Sequence, residues 1–162
     1  MLEEVAVTVD GTPVALEAEL TDSLLRALRD AGRTQVTGGC EQGECGSCSV
    51  LLDGVLVASC LVPAAVCRGA DVRTAPGLLG DDLAEAFARR GAVQCGFCTP
   101  GIVVAAESVL ADAGRGGRAL TAPVVREALA GNLCRCTGYE GIVAAVVEVS
   151  EQRASTRGEA GP

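Results

Sequence analysis

Gly38–Cys60 reads GGCEQGECGSCSVLLDGVLVASC. Its thiols stand at Cys40, Cys45, Cys48 and Cys60, a C-x4-C-x2-C run with the fourth thiol after eleven intervening residues. Four thiolates holding the two irons of a [2Fe–2S] cluster take that spacing. Zinc ligation and disulfides are the competing uses of clustered thiols. Gly38, Gly39, Gly43 and Gly46 surround the first three thiols. Glycine tolerates positive φ and leaves room beside the backbone. A loop that curls around a cluster and turns N–H groups toward its sulfurs needs both properties.

Composition narrows the reading. The chain has 162 residues, of which 49% are hydrophobic, yet its only aromatics are Phe87, Phe97 and Tyr139. Its core must be built from Val, Leu and Ala, which bury less area per residue. Small domains with thin cores commonly need staples, and nine cysteines can supply them. The N-terminus carries no basic, apolar or twin-arginine export signal, and no run approaches the ~18 apolar residues of a membrane span. A cytoplasmic setting is expected, where thiols stay reduced and clusters of them serve metals or redox chemistry. A net charge of −8 disfavours nucleic acid, and the absence of His removes ordinary zinc-enzyme and Rieske sites.

Residues 1–77 read as a first domain. Val5, Val7 and Val9 alternate as in a half-buried strand, and Asp10-Gly11 turns the chain back through Val14–Glu17. Thr21 is placed to cap a helix carrying Leu24, Leu25 and Leu28, with Gly32 ending it. After the cysteine loop, Ser49–Leu52 and Val55–Ala58 form a second hairpin about Asp53-Gly54, and a short strand spans about Asp71–Thr74. This order predicts a small mixed sheet with one helix across it, compatible with a β-grasp ferredoxin.

Residues 78–152 read as a helical bundle, with 153–162 a disordered polar tail. Helices are expected over Asp81–Arg90, from Thr99-Pro100 to about Asp112, over Thr121–Ala130, and from about Tyr139 to Ser150. Ala113–Ala119 is read as a mobile loop. Cys95 and Cys98 (QCGFCTPG) and Cys134 and Cys136 (NLCRCTGY) sit just before helices. Helix starts have unpaired N–H groups that favour negative charge. The set is a strong metal signal, but its spacing fits a four-cysteine zinc site as well as an iron–sulfur cluster. Cys67 has no partner and reads as a small buried hydrophobe. Gln94 reads as a surface amide, Arg135 as a loop charge or a tuner of potential, and Phe97 and Tyr139 as packing around the second set.

Taken together, GCEQGECGSCSVLLDG with VASCLVPA, GAVQCGFCTPG and REALAGNLCRCTGYEGIVAAV resemble one family across about residues 2–150. The chain is similar to the small iron–sulfur subunits of the molybdenum hydroxylases, a group that includes xanthine dehydrogenase, aldehyde oxidoreductases and aerobic carbon monoxide dehydrogenase. The resemblance implies an α+β chain: a β-grasp ferredoxin-like domain followed by a four-helix-bundle domain, each with one [2Fe–2S] cluster. It implies metal ligation by Cys40, Cys45, Cys48, Cys60, Cys95, Cys98, Cys134 and Cys136. It also implies an approach of Gln94 and Cys136 to a molybdopterin cofactor in a large partner subunit, and FAD in a medium one. Electrons from substrate hydroxylation would pass through both clusters to the flavin, in a dimer of heterotrimers. Purines or other N-heterocycles are the expected substrates, with aldehydes or carbon monoxide as alternatives. No catalytic residue is expected in this chain. No flavin or molybdenum domain lies within the 162 residues, so a separate subunit is expected. Ser47 and Ser49 stand where the family often has Ala and Thr. A free-standing two-cluster ferredoxin and a zinc-stabilised interaction module are the rival readings.

Overall fold

The inward-facing Val5, Val7 and Val9 lie on strand β1 (Glu3–Val9) and are buried, while their neighbours face out. The structure, a computed structural model, describes residues 2–117 and 119–159. Asp10 and Gly11, both at positive φ (50° and 78°), return the chain into β2 (Thr12–Ala18), in a register that sets Val5 opposite Leu16. Helix α1 (Leu24–Asp30) buries Leu24, Leu25, Ala27 and Leu28. Its cap is Ser23, whose hydroxyl accepts from Arg26 N–H, and not Thr21. The shift has a local cause. Leu24 N–H donates to Val62 C=O and Ala64 N–H to Asp22 C=O, so the chain stays extended until Ser23.

Strand β3 (Ser49–Leu52) turns through Asp53 and Gly54, again at positive φ (48° and 82°), into β4 (Val55–Ala58). Two 3-10 turns, Ser59–Leu61 and Ala64–Cys67, lead to β5 (Asp71–Arg73). The sheet order is β2-β1-β5-β3-β4, with β1 and β5 parallel and the other pairs antiparallel. Helix α1 crosses it, closing a core of Val5, Val9, Leu16, Leu24, Leu28, Val50 and Val72. Cys67 is buried in this core, and burial raises its thiol pKa.

The second half is helical: α2 (Ala75–Leu78), α3 (Asp81–Arg89), α4 (Thr99–Arg115), α5 (Ala122–Ala128) and α6 (Glu140–Glu159). Helix α6 packs against α3, α4 and α5 around Leu83, Phe87, Ile102, Leu129, Ile142 and Val146. The one-turn α2 straddles the expected boundary at residues 77 and 78. Helix α4 runs three residues past Asp112, so part of the expected loop is helical. Arg118, also in that loop, lies outside the described residues.

The expected tail at 153–162 is also corrected: α6 continues through Glu159. Residues 160–162 lie outside the described residues. The physical reason is Arg153. Its guanidinium donates two hydrogen bonds to Asp82 (2.7 and 2.9 Å) and two to Glu107 (2.8 and 2.9 Å), tying the last turns of α6 to α3 and α4.

Candidate metal centres

Both cysteine sets lie at the seam between the sheet and the bundle. Helix α4 packs on β3, with Gly101 against the Gly46 carbonyl and Ser47, where a Cβ would collide. Asn132, 4% exposed, donates from Nδ2 to Gly46 C=O (3.0 Å) and to Ser49 Oγ (3.3 Å). Thr37 Oγ1 lies within reach of both Ser47 C=O (3.0 Å) and Phe97 C=O (3.1 Å), and can give its one proton to either. Leu133 N–H donates to Cys45 C=O at 2.9 Å. The residue before Cys134 is thus hydrogen-bonded directly to Cys45, so the two cysteine loops touch through their backbones.

Within each set the thiols meet in twos. Cys40 interacts with Cys45 and Cys48 with Cys60; Cys98 interacts with Cys134, and the Cys95 and Cys136 sulfurs lie 3.6 Å apart. Two pairs per set is the donor arrangement of a binuclear centre, in which each iron takes two thiolates.

The backbone is shaped to serve those sulfurs. Gln42 N–H and Glu44 N–H both donate to Cys40 Sγ at 3.4 Å. Glu41, at φ 54°, and Gly43, at φ 78°, make the turn that aims them. The N–H of Gln42, followed by those of Cys45 and Glu44, lowers the Cys40 thiol to about 7. Burial, followed by the Cys48 thiol, pushes Cys60 up to about 11. In the second set, burial and then the Cys134 thiol push Cys98 up to about 12. At Cys134 burial also opposes ionisation, but the Thr137 hydroxyl and N–H, with Cys136 N–H and Cys98, outweigh it and bring the thiol to about 7. Each set thus joins an acidified thiol to one that ionises readily only beside positive charge, and a bound metal supplies that charge. At Gly39 a Cβ would lie 2.9 Å from Cys45 Sγ, so glycine keeps the cradle open. The residues fit the group.

Gln94, Cys95 and Cys136 are exposed, as are Val93, Arg135 and Leu133, the last at 56%. Phe97, 50% exposed, lies against Gly39 of the first loop, so it bridges the two sets and does not pack around the second alone. Tyr139 is built into the second loop. Its hydroxyl accepts from Cys134 N–H (2.7 Å) and donates to Asn132 C=O (2.9 Å). Asn132, Thr37 and Thr137 stand out in no sequence motif. Their partners lie on the other domain or on a sulfur, and no local pattern reveals those.

Two family models match in tandem: a 2Fe-2S iron-sulfur cluster binding domain over residues 7–75 and a [2Fe-2S] binding domain over 72–147. The xanthine dehydrogenase iron-sulfur-binding subunit of Escherichia coli O157:H7 is 43% identical, over 90% of this chain and 93% of its own. The nicotine 6-hydroxylase small subunit of Paenarthrobacter nicotinovorans is 40% identical, over 96% of this chain and 94% of its own. The chain belongs to the small iron–sulfur subunits of the molybdenum hydroxylases. The fold agrees: quinoline 2-oxidoreductase from Pseudomonas putida 86 superimposes with a TM-score of 0.87 at 41% identity, covering 98% of both chains. As a member of this family, the chain is the electron-transfer subunit of a multi-subunit oxidoreductase and carries two [2Fe–2S]-binding domains. Among the described residues, no helix is long and apolar enough to cross a membrane.

Proposed function

We propose that Cys40 and Cys45, Cys48 and Cys60, Cys95 and Cys136, and Cys98 and Cys134 are the four ligand pairs of two [2Fe–2S] clusters. The domains that hold them divide near residues 77 and 78. Bound there, the clusters supply one-electron carriage between a molybdopterin centre in a large partner and FAD in a medium partner. The residues of this chain orient the thiolates, exclude water from the seam and shorten the connection between the two sets. The observation that carries the reading is the Leu133 N–H to Cys45 C=O hydrogen bond of 2.9 Å. It joins a ligand of one set to the neighbour of a ligand of the other, so the covalent and hydrogen-bonded route between them is short.

Gln94 and Cys136 face the large subunit in this proposal. Their exposure beside Val93 and Leu133 supports it: a bare thiol pair with apolar flanks suits a covered surface. The substrate class is a purine or another N-heterocycle, supported by relatives named for xanthine, nicotine and quinoline. The assembly is a dimer of heterotrimers working in the cytoplasm.

Affinity purification of the chain from its native host tests this. The expected result is co-purification of molybdenum and FAD subunits, with about four irons and four sulfides per small chain, since each cluster is [2Fe–2S]. A lone monomer with both clusters would establish a free-standing ferredoxin. A colourless chain containing zinc and no sulfide would establish the interaction module.

A further inference from the structure

Three serines line the first thiol set, and their hydroxyls go to different places. Ser49 Oγ donates to Gly46 C=O at 2.7 Å, and Ser59 Oγ to Cys48 C=O at 2.7 Å. Both hold the backbone. Ser47 is different: it is buried, and among the described residues its hydroxyl has one hydrogen-bond partner, the Cys45 thiol, which donates to it at 3.5 Å. The second set repeats the arrangement. Thr137 Oγ1 lies 3.1 Å from Cys134 Sγ and accepts Tyr139 N–H at 3.2 Å. With its lone pair engaged by that N–H, the hydroxyl proton of Thr137 is free for the sulfur. Once Cys45 and Cys134 ligate as thiolates they have no proton to give, so in both places the hydroxyl becomes the donor.

Cys45 and Cys134 are also the two cysteines that the Leu133 hydrogen bond brings together. Each set therefore places its side-chain hydroxyl beside the cysteine whose backbone adjoins the other set. We propose that Ser47 and Thr137 set the reduction potentials of the two clusters, each raising its own by donating to the neighbouring Cys45 or Cys134 thiolate. Reduction adds negative charge to the cluster, and a donor to a ligating sulfur stabilises the more negative state. The effect is greatest at the iron that bears the bonded sulfur. The Gln42 and Glu44 donors to Cys40 act in the same sense, but they are backbone groups that side-chain substitution leaves in place.

This inference rests on the two-cluster reading. It is tested on the purified complex by reductive titration, following the two paramagnetic signals separately. Ser47→Ala should lower the reduced-to-oxidised ratio of one signal, at a fixed ambient potential, by up to about tenfold, about 59 mV for one electron. Thr137→Val should lower the other signal and leave the first in place. Ser47→Thr and Thr137→Ser, which keep the hydroxyl, should restore the native midpoints. Should Ser47→Ala not assemble, Ser47→Cys keeps the volume with a weaker donor and should give a smaller fall in the same direction. The proposal is overturned if both midpoints hold in variants with full iron content, or if either substitution moves both signals equally. A native complex without two [2Fe–2S] signals would instead overturn the two-cluster reading on which it stands.

Discussion

Asn132 stitches the two halves of the molecule together at the scale of one side chain. Its amide reaches Gly46 C=O and Ser49 Oγ, eighty-six and eighty-three residues away. The Gly46 carbonyl also accepts from Ser49 N–H and Ser49 Oγ, so removing the amide does not leave it bare. Asn132→Ala should accordingly cost about 1–2 kcal/mol, toward the lower end for a buried hydrogen bond. A urea titration followed through the cluster absorption checks this, and an unchanged midpoint would contradict it. At this scale the sequence displays the cysteines and hides the residues that support them. The spacing of Cys40, Cys45 and Cys48 is local, so the chain displays it directly. Asn132 acts on a carbonyl of the other domain and Thr37 reaches one there, and only the folded chain shows that.

Helix α6 carries the clearest difference between sequence and structure at the scale of elements. Its last turns, EQRASTRGE, are polar and show no buried stripe, so pattern alone ends the helix near Ser150. One cation reverses that outcome. Arg153 binds Asp82 on α3 and Glu107 on α4, and Glu107 is itself only 8% exposed. Arg153→Ala leaves that carboxylate without its counter-charge. The cost should be about 1–3 kcal/mol, less than for a fully buried pair because Asp82 is partly solvated. The Arg153 hydrogen bond also lowers the pKa of Asp82 in the folded chain. A depressed carboxyl stabilises the fold above its unfolded value, about 3.9, and the gain fades as the pH falls through the folded value. The difference in urea midpoint between native protein and Arg153→Ala should therefore be full at pH 6 and should shrink below about pH 4. A gap constant with pH would show that Arg153 acts through packing alone. The β-hairpins, by contrast, were legible because Asp10-Gly11 and Asp53-Gly54 specify their turns locally, by positive φ at both positions.

At the scale of the whole molecule, two modest apolar cores flank a seam that contains the metal-binding groups. One core is built mainly of Val and Leu around the sheet, the other of Ala, Val, Leu and Ile with a single Phe. Both cysteine sets lie at loops and turns, and these segments contact each other through Leu133, Asn132 and the reach of Thr37 Oγ1 to Phe97 C=O. Without metal, the half-buried Cys60 and Cys98 thiols stay protonated, at about 11 and about 12, and no charge draws the pairs together against loop entropy. Cluster binding is then part of folding energy and not an addition to a finished fold. The metal-free chain should lack a cooperative melt and show broad amide exchange through residues 38–60, 93–99 and 131–139. Reconstitution with iron and sulfide should restore both the transition and the protection. The order of loss is a sharper check. Because the seam is shared, emptying one set through Cys98→Ser should also raise exchange at Cys45 and Gly46, across the Leu133 and Asn132 hydrogen bonds. Two halves that melt independently, with protection at Cys45 untouched by Cys98→Ser, would show that the seam transmits no stability between them.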